Sequence, residues 1–79
     1  MIKNKDLLKQ YLIFSNNIKR IRKEKNLTQE KLAEISDLSI SYVKQIESTK
    51  DYKNLTLTTM LKISKALEVS INELFKDNY

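Results

Sequence analysis

Apolar residues return along this 79-residue chain at intervals of three and four, the spacing that gathers them on one side of a helix. Leu7, Leu8, Tyr11 and Leu12 form a first group, with Asn4 or Asp6 suited to its start. Phe14, Ile18 and Ile21 mark a helix from about 14 to 25, and Leu32, Ala33 and Ile35 are expected to turn inward on the next. Val43 and Ile46 serve a fourth helix over 39–48. Leu57, Met60, Ile63, Ser64 and Leu67 make an i, i+3, i+4, i+7 stripe over 56–68, and Ile71, Leu74 and Phe75 follow in 70–75. The polar positions punctuate this pattern. Thr28 and Ser39 are placed to cap, Ser70-x-x-Glu73 has the form of a capping box, and Ser36-Asp37-Leu38-Ser39 reads as a tight turn. Ser15-Asn16-Asn17 either separates the first two helices or lies within one continuous helix, because no Pro or Gly forces a break.

The segment 39–48 has a polar side of unusual make-up. At 3.6 residues per turn, Ile40, Ser41, Lys44, Gln45 and Ser48 fall together, opposite Val43 and Ile46. Two hydroxyls, a carboxamide, a cation and one β-branched side chain are what base edges, a thymine methyl and phosphates would require of a helix in a DNA major groove. A merely solvated face accounts for the same residues. Taken alone, the face leaves both readings open.

Composition narrows the chemistry. One domain with one modest core is the expectation for this length, and 41% hydrophobic residues against 32% charged is a composition that folds. Cys and His are absent, which removes disulfides, thiolate nucleophiles, imidazole bases and the usual zinc ligand sets, and no cofactor or metal is implied. A net charge of +5 favours polyanionic partners or plain solubility. No apolar run approaches the roughly 20 residues that span a bilayer, so a cytoplasmic protein is expected. Gly and Pro are also missing, leaving turns to Asn, Asp, Ser and Thr.

Gln29-x-x-Leu32-Ala33, Asp37-Leu38-Ser39 and Tyr42-Val43-x-x-Ile46-Glu47 resemble the helix-turn-helix of the lambda-repressor and Cro-like transcription regulators, the XRE family. The resemblance continues through Ile18, Ile21, Arg22, Asn26, Leu27 and Thr28 upstream and from Leu57 to Phe75 downstream, covering roughly 14–75. It implies an all-α fold: a five-helix lambda-repressor-like domain over 14–75, preceded by an extra helical segment over 1–13 and followed by a short tail over 76–79. That extra segment is read as a packing helix or as a partner-binding arm.

The resemblance also assigns roles. Ile40, Ser41, Lys44 and Gln45 become the base-reading candidates, with Gln45 suited to adenine, Lys44 to guanine or a phosphate, and Ile40 to a thymine methyl. Gln29, at a helix N-terminus, matches a residue that bonds a DNA phosphate in the family. Tyr42 sits at the edge of the packed side, where its hydroxyl could reach a phosphate or its ring could serve the core. Arg22 and Glu47 are implied to meet in a partly buried ion pair, the alternative being two independent surface charges. Asn26 and Asp37 stand where the family usually has Gly, so both are expected at positive φ.

The chain departs from the family pattern after Glu47. Thr49 stands where a Gly is usual, no Pro starts the next helix, and the connection is about two residues longer. Lys50 and Lys53 in that loop are phosphate candidates or ordinary solvated cations. Ile71, Leu74 and Phe75 are candidates for a two-fold dimer interface, and equally for the core that a chain this small must fill. The expected function is a homodimeric, sequence-specific transcriptional regulator binding double-stranded DNA at a pseudo-palindromic operator. Phage Cro-like repressors, restriction-modification controllers and single-domain antitoxins share this layout. A protein-interaction module, such as an antitoxin or bridging factor with weak DNA binding, is the second reading, and an enzyme is a distant third because no acid-base or metal cluster is visible.

Overall fold

The computed structural model describes residues 4–49 and 54–77. Five helices run in order: α1 (Asn4–Glu24), α2 (Gln29–Ser36), α3 (Ile40–Glu47), α4 (Leu57–Leu67) and α5 (Ile71–Leu74). The first of them passes through Ser15, Asn16 and Asn17 without interruption. The N-terminal segment and the first helix of the domain are therefore one 21-residue rod.

Each later helix starts where a hydroxyl can satisfy a free backbone N–H. Thr28 accepts from the Lys31 N–H at 3.0 Å, Ser39 from Tyr42 at 3.1 Å, Thr56 from Thr59 at 3.1 Å and Ser70 from Glu73 at 3.4 Å. The ends are equally systematic. Asn26, Asp37 and Glu68 take left-handed backbone with φ of 59°, 58° and 59°. In each case the next residue donates its N–H back across the last turn: Leu27 to Arg22, Leu38 to Ala33 and Val69 to Ser64, at 2.9–3.0 Å. These are Schellman closures, and Leu27, Leu38 and Val69 each pack their side chain against the core as that motif requires.

Phe14, Ile18, Ile21, Leu32, Ala33, Val43, Ile46, Ile63, Leu67 and Leu74 form the core, with at least one from every helix. Two residues expected to face inward do not. Ile35 is 47% exposed and Leu57 61% exposed. On α2 the buried arc is Leu32, Ala33 and Ser36; Ser36 is accepted there because its hydroxyl bonds the Leu32 carbonyl at 2.6 Å. Ile35 lies about 110° of helix rotation from the middle of that arc. On α4 the inward residue of the first turn is Thr59, whose hydroxyl pairs with that of Thr56 at 3.1 Å, and Leu57 is turned away. No buried side-chain nitrogen or oxygen among the described residues lacks a hydrogen-bond partner, as a stable interior demands.

Candidate nucleic-acid interface

Helix α3 is eight residues long and divides into two unlike sides. Val43, Ile46 and Glu47 are buried. Ser41, Lys44 and Gln45 are exposed, and Ile40 is half-buried, resting part of its side chain on the core. Tyr42 is also half-buried and packed against the core, so its ring is shared between interior and surface. The exposed set offers a hydroxyl, an ammonium and a carboxamide, which together can donate to guanine, pair with adenine or bond a phosphate.

The position of this helix is fixed by a buried polar cluster. The Nε of Arg22 on α1 donates to Glu47 Oε2 at 2.7 Å and its Nη2 to Glu47 Oε1 at 2.9 Å, a bidentate pairing that suits guanidinium to carboxylate. Nη1 of the same residue donates to the Leu27 carbonyl at 2.7 Å. With Arg22 8% and Glu47 2% exposed, this pair joins α1, the following turn and α3 in a nearly dry place. Gln29 completes the cluster. It is half-buried, and its Nε2 donates to Glu47 Oε1 at 3.0 Å, tying the first residue of α2 to the last of α3. A carboxamide carries a second N–H, so this bond leaves Gln29 able to donate to a further acceptor.

Lys50 and Lys53 lie outside the described residues. On α5, Leu74 is wholly buried in the core of its own chain, which suits the core reading of that residue. Ile71 is half-buried, while Phe75 is 38% exposed and stacks on Phe14 with ring centroids 4.9 Å apart.

Three polar residues given no site role from sequence complete the arrangement. Tyr11 donates its hydroxyl to the Ile46 carbonyl at 2.8 Å, and Ser15 donates to the same carbonyl at 2.7 Å. Asn17 Nδ2 donates to the carbonyls of Leu74 and Lys76, each at 2.9 Å. The signal for two of them was in the spacing: Tyr11, Ser15, Ile18 and Arg22 form an i, i+4, i+7, i+11 series on α1.

A helix-turn-helix family model matches residues 18–74, which include all of α2 through α5. The chain belongs to this family, the XRE-type helix-turn-helix proteins, which are DNA-binding transcriptional regulators and not enzymes. Among its relatives are the control protein C.MunI of a Mycoplasma species, 42% identical over 65 residues spanning 81% of this chain and 85% of that one, and the control protein C.SmaI of Serratia marcescens, 39% identical over 62 residues spanning 78% and 71%. The crystal structure of the restriction-modification controller protein C.AhdI from Aeromonas hydrophila superposes with a TM-score of 0.75 at 35% identity, covering 82% of this chain and 96% of that one. Among the described residues no helix is long and apolar enough to cross a membrane.

Proposed function

We propose that this protein is a sequence-specific regulator that binds a pseudo-palindromic operator as a homodimer, with α3 in the major groove, and that it belongs to a restriction-modification gene set. The observation that carries this reading is the division of α3. Its buried side is locked to α1 and α2 through Glu47, while Ser41, Lys44 and Gln45 stand free on the other. In this reading Gln45 pairs with adenine, Lys44 meets guanine or a phosphate, and Ile40 offers its exposed part to a thymine methyl. Gln29 bonds a backbone phosphate through its second N–H, with Tyr42, Lys50 and Lys53 as further phosphate contacts. The controller setting is supported by the relatives named control proteins.

The dimer would use apolar surface near the C-terminus, half-buried Ile71 and exposed Phe75 first, with Leu57 and Leu61 also open to solvent. A two-fold axis there places two recognition helices in successive major grooves, about 34 Å apart. Selection from a library of random duplexes at two salt concentrations, read by sequencing and paired with sedimentation analysis, tests the whole reading. Recovery of an inverted repeat with half-site centres about one helical turn apart, by a species of twice the chain mass, is the expected result. Unenriched sequence with a steep salt dependence would instead mean backbone binding alone, and the protein-interaction module would become the better account.

A further inference from the structure

A helix that reads DNA is useful only if both its ends are held. The start of α3 is fixed by the Ser39 cap. Its end presents a different problem, because the last carbonyls of a helix have no intrahelical donors. Here the Ile46 carbonyl accepts from two hydroxyls at once, Tyr11 at 2.8 Å and Ser15 at 2.7 Å, and Tyr11 also reaches the Gln45 carbonyl at 3.3 Å. Tyr11 is 6% and Ser15 0% exposed, so water does not substitute for either. The two donors come from successive turns of α1, one above the other. Two bonds converging on one carbonyl define direction as well as distance, which a single apolar contact does not.

The same helix holds the far end of the molecule. Asn17 grips the carbonyls of Leu74 and Lys76 at the end of α5, and Phe14 stacks on Phe75. Tyr11, Phe14, Ser15 and Asn17 all precede the stretch matched by the family model.

We propose that Tyr11 and Ser15 are positioning residues for DNA recognition: acting through the end of α3, they set the angle at which its exposed side meets base edges. Asn17 extends the effect by fixing α5 to the same rod, so that the reader and the proposed dimer end keep one geometry. This inference rests on α3 being the base reader. About 0.5 Å and 10–20° are the tolerance of such a constellation, and without these two bonds only the Glu47 pairing and the Val43 and Ile46 contacts restrain α3 from rolling.

The test compares the full chain with Tyr11→Phe, Ser15→Ala and the double variant, each well below its own Tm. The probes are the duplex recovered by the selection described above and a random-sequence duplex of equal length at the same salt. Ile63→Val, a core change on α4, supplies a destabilised control that leaves these bonds in place. In the double variant the ratio of selected-duplex to random-duplex affinity should fall by about 5- to 150-fold, the discrimination carried by one bidentate base contact, with an unchanged salt slope and no such fall in Ile63→Val. Amide hydrogen exchange without DNA should quicken in α3 relative to α2 and α4. A ratio preserved in the double variant, or lowered equally by Ile63→Val, overturns the proposal. Wild-type protein that binds both duplexes alike overturns the base-reading assignment itself, and quickened exchange in α3 would then mark Tyr11 and Ser15 as structural only.

Discussion

Replacing Glu47 by Ala is the sharpest test of how the reading helix is held. The change removes the acceptor of three hydrogen bonds, two from Arg22 at 2.7 and 2.9 Å and one from Gln29 at 3.0 Å. Because the Arg22 side chain is only 10% and that of Glu47 2% exposed, solvent screening softens the loss little. Breaking a buried pair from one side costs about 3–5 kcal/mol, mostly the penalty of leaving the other charge unpaired. Arg22 keeps its bond to the Leu27 carbonyl, which argues for the lower figure of about 3 kcal/mol. A chain of 79 residues has only about 4–12 kcal/mol of total stability, so the variant should lose a quarter or more of it. The corresponding fall in Tm is about 12–24 °C.

Urea titration followed by far-UV circular dichroism measures the change, provided the slope with denaturant matches wild type. Replacing the pair together, Arg22→Met with Glu47→Leu, should recover most of the loss, since the desolvation that the pair must overcome disappears with it. A loss below about 1 kcal/mol, the range of exposed pairs, or a double variant as unstable as the sum of its parts, would refute the reasoning.

Other consequences are simpler. Gln45→Ala should relax the preference at one operator position by about 1–3 kcal/mol, and equal losses on operator and random duplex in a competition titration would remove Gln45 from the readers. Glu68 sits at φ 59° with an acidic side chain that gains nothing from that conformation. Glu68→Gly should therefore stabilise the fold by roughly 0.5–1 kcal/mol, seen as a higher midpoint in urea; a lower midpoint would show that Glu68 has a role the backbone does not explain. Leu67 is wholly buried at the centre of the core, so Leu67→Ala should cost about 2–5 kcal/mol, and retention of the wild-type melting curve would contradict its placement.

The helices and their caps were readable because each signal is local. A hydroxyl before an apolar run, or Asn and Asp followed by Leu, needs nothing beyond the neighbouring turn to act. What escaped was set by packing between helices. Period alone could not decide between Ile35 and Ser36 for the inward face of α2, because Ser36 becomes tolerable inside only by bonding its own helix at Leu32. Ser15-Asn16-Asn17 looked equally like a break, and only the carbonyl ends of α3 and α5 make Ser15 and Asn17 useful inside a continuous helix. The helix end at Glu68 was expected but its left-handed backbone was not, since Glu carries no such signal, although Val69 after it has the same apolar role as Leu27 and Leu38. The exposed side of α3 was visible in the spacing of its side chains. The orientation of that face was not, because it is fixed by bonds from α1 and α2.

That dependence has a general cause. Eight residues in α3 are fewer than the roughly 12–15 at which even favourable sequences become marginally helical alone. The helix therefore exists because Ser39 closes its start, Val43 and Ile46 bury one side, and Glu47, Tyr11 and Ser15 fix its end. Each of those restraints lies on the protein side, leaving Ser41, Lys44 and Gln45 with no structural duty. The exposed residues can thus change at little cost to the fold, while a change among the restraints acts on the placement of the helix itself. Under the proposed function, operator preference would separate into two sets of positions, one that chooses the bases and one, on α1 and α2, that sets the angle from which they are read.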